Sequence, residues 1–209
     1  MNYLAHVYFS GPDPQWQLGG YLGDHVRGDA WRDYAPDIAR GILLHRRVDV
    51  FTDTHPAFAE ARGDLDAPFR RYAGILLDMF FDHFLAADFH HLTGRHLGVL
   101  AAASYANLRV HRHLLPASLQ RFATYQESHN LLRNYADPDY LAMALGGLSQ
   151  RLKRANPLAD GITQLAGRRE RFKALFADLF ADLDVYAREQ RRELSQDDGA
   201  YSKSQPVIE

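Results

Sequence analysis

Cysteine is absent from all 209 residues. That removes disulfides, thiolate nucleophiles and sulfur-ligated zinc, and it is compatible with a reducing compartment such as the cytoplasm. No run approaches the roughly 18 apolar residues that a membrane span needs. No alternating strand pattern or hairpin dipeptide stands out either. The opening stretch MNYLAHVYFS lacks the basic segment and small-residue cleavage site of a signal peptide, so it is read as mature protein. Excess charge is missing too: the formal net charge is −2. Nothing global therefore attracts nucleic acid, and any attraction for an acidic partner has to be local.

What is present is helix. The length fits one compact all-α domain, expected over residues 1–193, with 194–209 as a flexible tail rich in turn formers. Gly11-Pro12-Asp13-Pro14 breaks an opening helix, and another starts at Trp16. Pro36 marks the first turn of a helix running to about Thr52, with Asp33 or Tyr34-Ala35 at its cap. Asp53 or Thr54 is the expected cap of a short helix at Pro56. Pro68 leads into the apolar run Tyr72 to Phe89. Residues 116–133 have helical period, with Leu115, Leu119, Phe122 and Gln126 on one face. Asp137-Pro138 opens a helix to Leu152, weakened in its middle by Gly146-Gly147. The last helix, from about Pro157 to Leu194, places Leu165, Phe172, Leu175, Leu179 and Val185 at core spacing.

Three constellations carry chemistry. In the segment Asp78 to His83, apolar residues surround nearly the whole helix, as in buried helices. Asp78 and Asp82, four apart, would stack inside it, and two such carboxylates need a cation or arginines between them. A structural Asp–Arg network and a metal ion are the two solutions. The second constellation puts His45, Asp49 and Asp53 along one helix face at i, i+4 and i+8, with Arg46 and Arg47 following the histidine. This pattern suits either a surface ion-pair ladder or a site that donates to a phosphate oxygen and holds an acid or base. The third is Asp24-His25-Val26-Arg27-Gly28, with His6 upstream. Its bland counterparts are a helix C-cap with an ion pair and a core histidine. Carboxylates and imidazoles without sulfur favour Mn²⁺, Mg²⁺ or Fe²⁺, with Zn²⁺ as a further option.

In order and spacing, the blocks MNYLAH, GDHVRG, HRRVDVFTD and Asp78 to His83 resemble the bacterial acyl carrier protein phosphodiesterases. The likeness runs from Met1 to about Arg188 and includes Leu115-Pro116, Tyr125, Ser128, Tyr135, Asp137 and Gly147 to Arg151. In the C-terminal half it lies mainly in apolar positions. The resemblance implies a divergent HD-like helical bundle that uses manganese. It also implies hydrolysis of the phosphodiester joining 4′-phosphopantetheine to the serine of holo-acyl carrier protein. Where the HD superfamily has His-Asp, this chain has the reversed Asp82-His83. His6, Asp24, His45, Asp78, Asp82 and His83 match the family position by position; His25 does not. The metal set implied is Asp24, Asp78, Asp82, His83 and His6. His45, Asp49, Asp53, Arg46 and Arg27 are the expected catalytic group, with Arg46 or Arg27 on the nonbridging oxygens and His45 or His83 protonating the leaving alkoxide. The partner implied is the small acidic carrier protein, steered by Arg27, Arg40, Arg47, Arg62, Arg70 and Arg71; no nucleic acid or membrane is expected. Two alternatives are an HD-type hydrolase of a nucleotide or small phosphoester, and a catalytically silent carrier-binding module.

Overall fold

Proline and aspartate set the helix starts. In the computed structural model, which describes residues 2–196, Pro14, Pro36, Pro56 and Pro138 each open a helix, where the missing N–H is not needed. Asp13 accepts from the amides of Gln15 and Trp16, and Asp137 from that of Asp139. The described residues form α1 (Tyr3–Phe9), α2 (Pro14–Leu22), α3 (Pro36–Thr54), α4 (Pro56–Asp64), α5 (Ala67–Arg70) and α6 (Ala73–Ala87). They continue as α7 (Phe89–Thr93), α8 (Leu97–Val110), α9 (Ala117–Ser128), α10 (Leu131–Asn134), α11 (Pro138–Arg151) and α12 (Ile162–Gln196), with short 3-10 turns between some of them and no strand. The all-α class is as expected. Among the described residues no helix is long and apolar enough to cross a membrane.

The apolar surround of α6 does what such a surface must, and lies at the centre. Leu77, Phe80, Phe81, Phe84 and Leu85 are all buried. Phe81 and Phe84 meet Phe176 of α12 with ring centroids 5.6 and 5.8 Å apart, Phe80 meets Phe172 at 5.8 Å, and Phe58 of α4 closes on Phe81 at 6.0 Å. α12 crosses α3, α4 and α6, while α1 is wedged among α2, α6 and α12. The most intimate pair is α2 with α3. A Cβ on Gly19 would lie 2.3 Å from the Ile38 carbonyl, and one on Gly41 2.3 Å from that of Trp16. Only glycine at both positions lets the two backbones touch.

Several expected details differ. α3 runs on through Thr54, so Asp53 and Thr54 are helical and His55 caps α4, its Nδ1 accepting from the Ala57 amide. Ala35 caps α3 without a side-chain bond. The helix expected over 116–133 breaks after Ser128, because Asn130 takes the left-handed conformation (φ 46°) that asparagine tolerates. Val185 is 51% exposed; Leu183 and Ala187 fill the core there instead. α12 begins at Ile162 and bends at Arg168, whose guanidinium bonds Asp66 Oδ1 at 2.7 Å. It extends through Gln196, with Leu194 buried; the rest of the expected tail lies outside the described residues.

Candidate metal centre

His6 on α1 and His45 on α3 are both buried, and their rings stack with centroids 3.7 Å apart. A hydrogen-bonding group shared by both rings would hold two imidazoles that close together. Asp49, one turn beyond His45, supplies it: Oδ1 is 3.1 Å from His6 Nε2 and Oδ2 is 3.1 Å from His45 Nε2. Asp24, just past the end of α2, adds an oxygen 3.3 Å from His45 Nε2. One ligand atom from each of His6, His45 and Asp49 falls within 4.8 Å of the other two, the only such trio among the described residues. The far side of His45 is fixed as well, with Nδ1 donating to the Gly20 carbonyl at 2.8 Å. A ligand histidine characteristically has its second nitrogen held in this way. Gly23 makes room for the ring, since a Cβ there would stand 2.1 Å from His45 Cγ.

The electrostatics follow from burial and from these contacts. Burial and the nearby His45 push His6 down to about 4. Burial opposes charge on His45 too, but the bonds to Asp24 and Asp49 outweigh it and lift His45 to about 9. The Asp49 carboxyl is disfavoured by burial yet held well below the usual carboxylate range by His45 and His6. Asp24, lowered chiefly by its bond to His45, is two-thirds exposed and faces outward. Two imidazoles with one or two carboxylates form a nitrogen–oxygen donor set that fits a divalent first-row ion.

The other expected ligands are placed differently. Asp82 is fully buried, and both its oxygens are taken by the start of α1: Oδ2 accepts from Leu4 N at 2.8 Å and Oδ1 from Ala5 N at 3.2 Å. With Asn2 Oδ1 accepting from Tyr3 N, the first turn of α1 has its orphan donors satisfied. A helix N-terminus, carrying partial positive charge, is thus the partner of Asp82. Burial raises Asp82 to about 7 against the pull of those amides. His83 donates from Nδ1 to the Tyr135 carbonyl at 2.8 Å, leaving Nε2 to accept from Arg169 Nη1 at 2.9 Å. Both its nitrogens are engaged, and burial pushes its pKa down. Asp78, raised by burial, adds by its charge to the raising of Asp82 and lines a cavity of about 350 Å³ together with Asp24. Asp53 is exposed one turn past Asp49.

The arginines divide in the same way. Arg46 donates to the carbonyls of Val26 (2.6 Å) and Gly28 (2.8 Å), tying down the loop that carries Asp24. Arg47 pairs with Glu193 and bonds Gln190, Arg62 lies over the Phe58 ring, and Arg70 bonds the Leu65 and Gly63 carbonyls. Arg40 is held by Asp37 and the Leu194 carbonyl. Arg27 and Arg71 are exposed, with no ion pair among the described residues. Reading the sequence missed the Gly20 carbonyl, Gly23 and the cavity walls supplied by Tyr3, α9 and α11.

Comparison with known proteins bears on this geometry. The family model described as acyl carrier protein phosphodiesterase matches residues 1–183. The chain is 34% identical over 177 residues to the acyl carrier protein phosphodiesterase of Yersinia enterocolitica, covering 84% of this chain and 92% of that protein. It is 33% identical over 177 residues to the protein of the same name from Photorhabdus laumondii, covering 84% and 89%. For the one from Salmonella agona the identity is 36% over 163 residues, covering 77% and 83%. No solved structure matches the chain.

Proposed function

The chain belongs to the acyl carrier protein phosphodiesterase family, and from that premise we propose that it hydrolyses the phosphodiester linking 4′-phosphopantetheine to a serine of holo-acyl carrier protein. The products are the apo-protein and 4′-phosphopantetheine. The observation that carries the reading at the level of chemistry is the convergence of His6, His45 and Asp49 beside a cavity that Asp24 and Asp78 line. Phosphodiester hydrolysis needs a concentration of positive charge at the phosphate and a means of activating water.

His6, His45 and Asp49 would hold a divalent ion, with Asp24 the adjacent carboxylate; the donor set suits Mn²⁺, Mg²⁺ or Fe²⁺, and Mn²⁺ is our choice because the family resemblance implies it. Such an ion supplies Lewis acidity toward a phosphoryl oxygen and lowers the pKa of water. The chain's own groups orient the site. The Gly20 carbonyl fixes the His45 tautomer, so that Nε2 points at Asp49 and Asp24. Arg46 holds the loop that presents Asp24. Asp78, whose carboxyl burial raises, stands on the cavity wall where it can give a proton to the departing serine oxygen.

Docking of an acidic carrier protein falls to cations with no competing ion pair among the described residues. Arg151 lines the cavity, Lys153 and Arg154 follow it exposed, and Arg27 lies beyond Asp24. Arg71 of the expected steering set is likewise exposed without an ion pair among the described residues. A cysteine-free chain fits the reducing cytoplasm, and a His/Asp donor set fits an HD-type ancestry.

The test is incubation with holo-acyl carrier protein and Mn²⁺, read by mass spectrometry of the carrier. Loss of the prosthetic group by the wild type, abolished in Asp49→Ala, is the expected result. Turnover of nucleotides with an intact holo-carrier would favour a small-phosphoester hydrolase. Tight carrier binding with neither metal nor turnover would favour a binding module.

A further inference from the structure

Helix α11 contains Gly146 and Gly147 side by side, and an interior glycine destabilises a helix by about 1 kcal/mol relative to alanine. No turn or backbone crossing explains either glycine, since a Cβ built on Gly146 or on Gly147 meets no atom within 4 Å; what separates them is the space beside them. The empty space beside Gly147 is the cavity described above, of which Gly147 is a wall residue; Gly146 is not. Met143, Gly147 and Arg151 recur every four residues along α11, with Ala144 and Leu148 beside them, so a single helix face lines the cavity. Phe122 and Tyr125 of α9 and Tyr3 of α1 contribute further wall. Asp24 and Asp78 join the same cavity, and Asp24 reaches within 3.3 Å of His45 Nε2. The cavity therefore adjoins the candidate metal centre through Asp24. Its volume, about 350 Å³, is in the range of roughly 300–1,000 Å³ that takes a small organic ligand.

We propose that this cavity receives the pantetheine arm of the substrate, and that the absent side chain at Gly147 sets its width. The arm is an uncharged chain with two methyl groups on one carbon, a hydroxyl, two amides and a terminal thiol. It needs apolar walls with a few hydrogen-bonding groups, which Phe122, Leu148 and Met143 on one hand and Tyr125 and Asn2 on the other provide. The phosphate at one end of the arm is then presented toward Asp24 and the His6–His45–Asp49 cluster. This inference rests on the activity proposed above.

The two neighbouring glycines make a matched test in the Mn²⁺-loaded full chain. Gly147→Phe places a ring in the cavity, whereas Gly146→Phe places the same ring outside it; Gly147→Ala adds only a methyl group. Circular dichroism checks the fold, and calorimetry follows Mn²⁺ and free pantetheine. The expected result is unchanged Mn²⁺ affinity in all three, pantetheine binding lost in Gly147→Phe alone, and kcat/KM for holo-carrier reduced at least about tenfold in that variant. Gly147→Ala should fall between it and the wild type, which keeps the test valid if the ring prevents folding. Equal turnover in Gly147→Phe and wild type overturns the cavity assignment and leaves the activity standing. Equal losses in Gly146→Phe and Gly147→Phe overturn it too, since the helix and not the cavity is then at fault. A wild type that releases nothing from holo-carrier removes the activity, and this inference with it.

Discussion

Replacing Asp82 with alanine should unfold the protein more readily without emptying the metal centre. Asp82 is fully buried and serves the Leu4 and Ala5 amides, one from each oxygen. Alanine leaves both amides without an acceptor in a site closed to water. An orphaned buried donor costs about 1–3 kcal/mol, so two cost roughly 2–6 kcal/mol. Removing a carboxylate that was itself costly to bury offsets part of this, which brings the net to roughly 3 kcal/mol. For a chain of this length that corresponds to a Tm lower by about 6–12 °C. Asp82→Asn keeps one acceptor but turns an NH2 group toward the second amide, so it should lose about half as much. Urea denaturation of both variants, paired with Mn²⁺ calorimetry on the folded protein, reads the two effects separately. An Asp82→Ala protein that is as stable as wild type and binds no Mn²⁺ would refute the reasoning, because Asp82 would then be a ligand and not a cap.

Gly19→Ala drives a methyl group into the Ile38 carbonyl across the α2–α3 crossing and should destabilise the protein by about 1–3 kcal/mol or more, seen as a lower urea midpoint. In Gly23→Ala the new methyl displaces the His45 ring, and Mn²⁺ affinity measured by calorimetry should drop about 10–100-fold; an unchanged value counts against His45 as a ligand. In the metal-free protein the stability contributed by the two clustered histidines should peak near pH 6.5. His45, raised to about 9 in the fold, gives stability that is complete below its unfolded value near 6.5 and lost as pH rises through about 9, at most about 3 kcal/mol in all. His6, lowered to about 4, works on the acid side, where stability declines as pH falls from about 6.5. A flat profile of urea midpoints between pH 6.5 and 9.5 is the contrary outcome.

The ladder His45-x-x-x-Asp49 was legible because both members lie on one helix, where spacing fixes proximity. The burial of Asp82 was legible for the same reason, from the apolar residues around it. Its partner was not, since a backbone amide at a distant helix start leaves no mark in the sequence. That hidden partner is why Asp82 and His83 read as ligands while His45 and Asp49 read as catalytic groups, whereas the geometry puts His45 and Asp49 in the donor cluster. Helix α8 was overlooked for a different reason: its polarity is partly inverted. Ser104 and Asn107 are buried, bonded to the Tyr21 hydroxyl and the Pro14 carbonyl, while Val99 and Val110 are about two-thirds exposed. A reading that sends polar residues outward cannot find such a helix. The cavity escaped notice because the residue that keeps it open, Gly147, contributes no side chain and reads as a weak point in α11.

The most direct test of the account is the anomalous diffraction signal of manganese in crystals grown with Mn²⁺. The account predicts a peak about 2.0–2.3 Å from a nitrogen of His6, a nitrogen of His45 and an oxygen of Asp49, with Asp24 alongside. A peak held by Asp78, Asp82 and His83, with His6 and His45 still paired to Asp49, would contradict it.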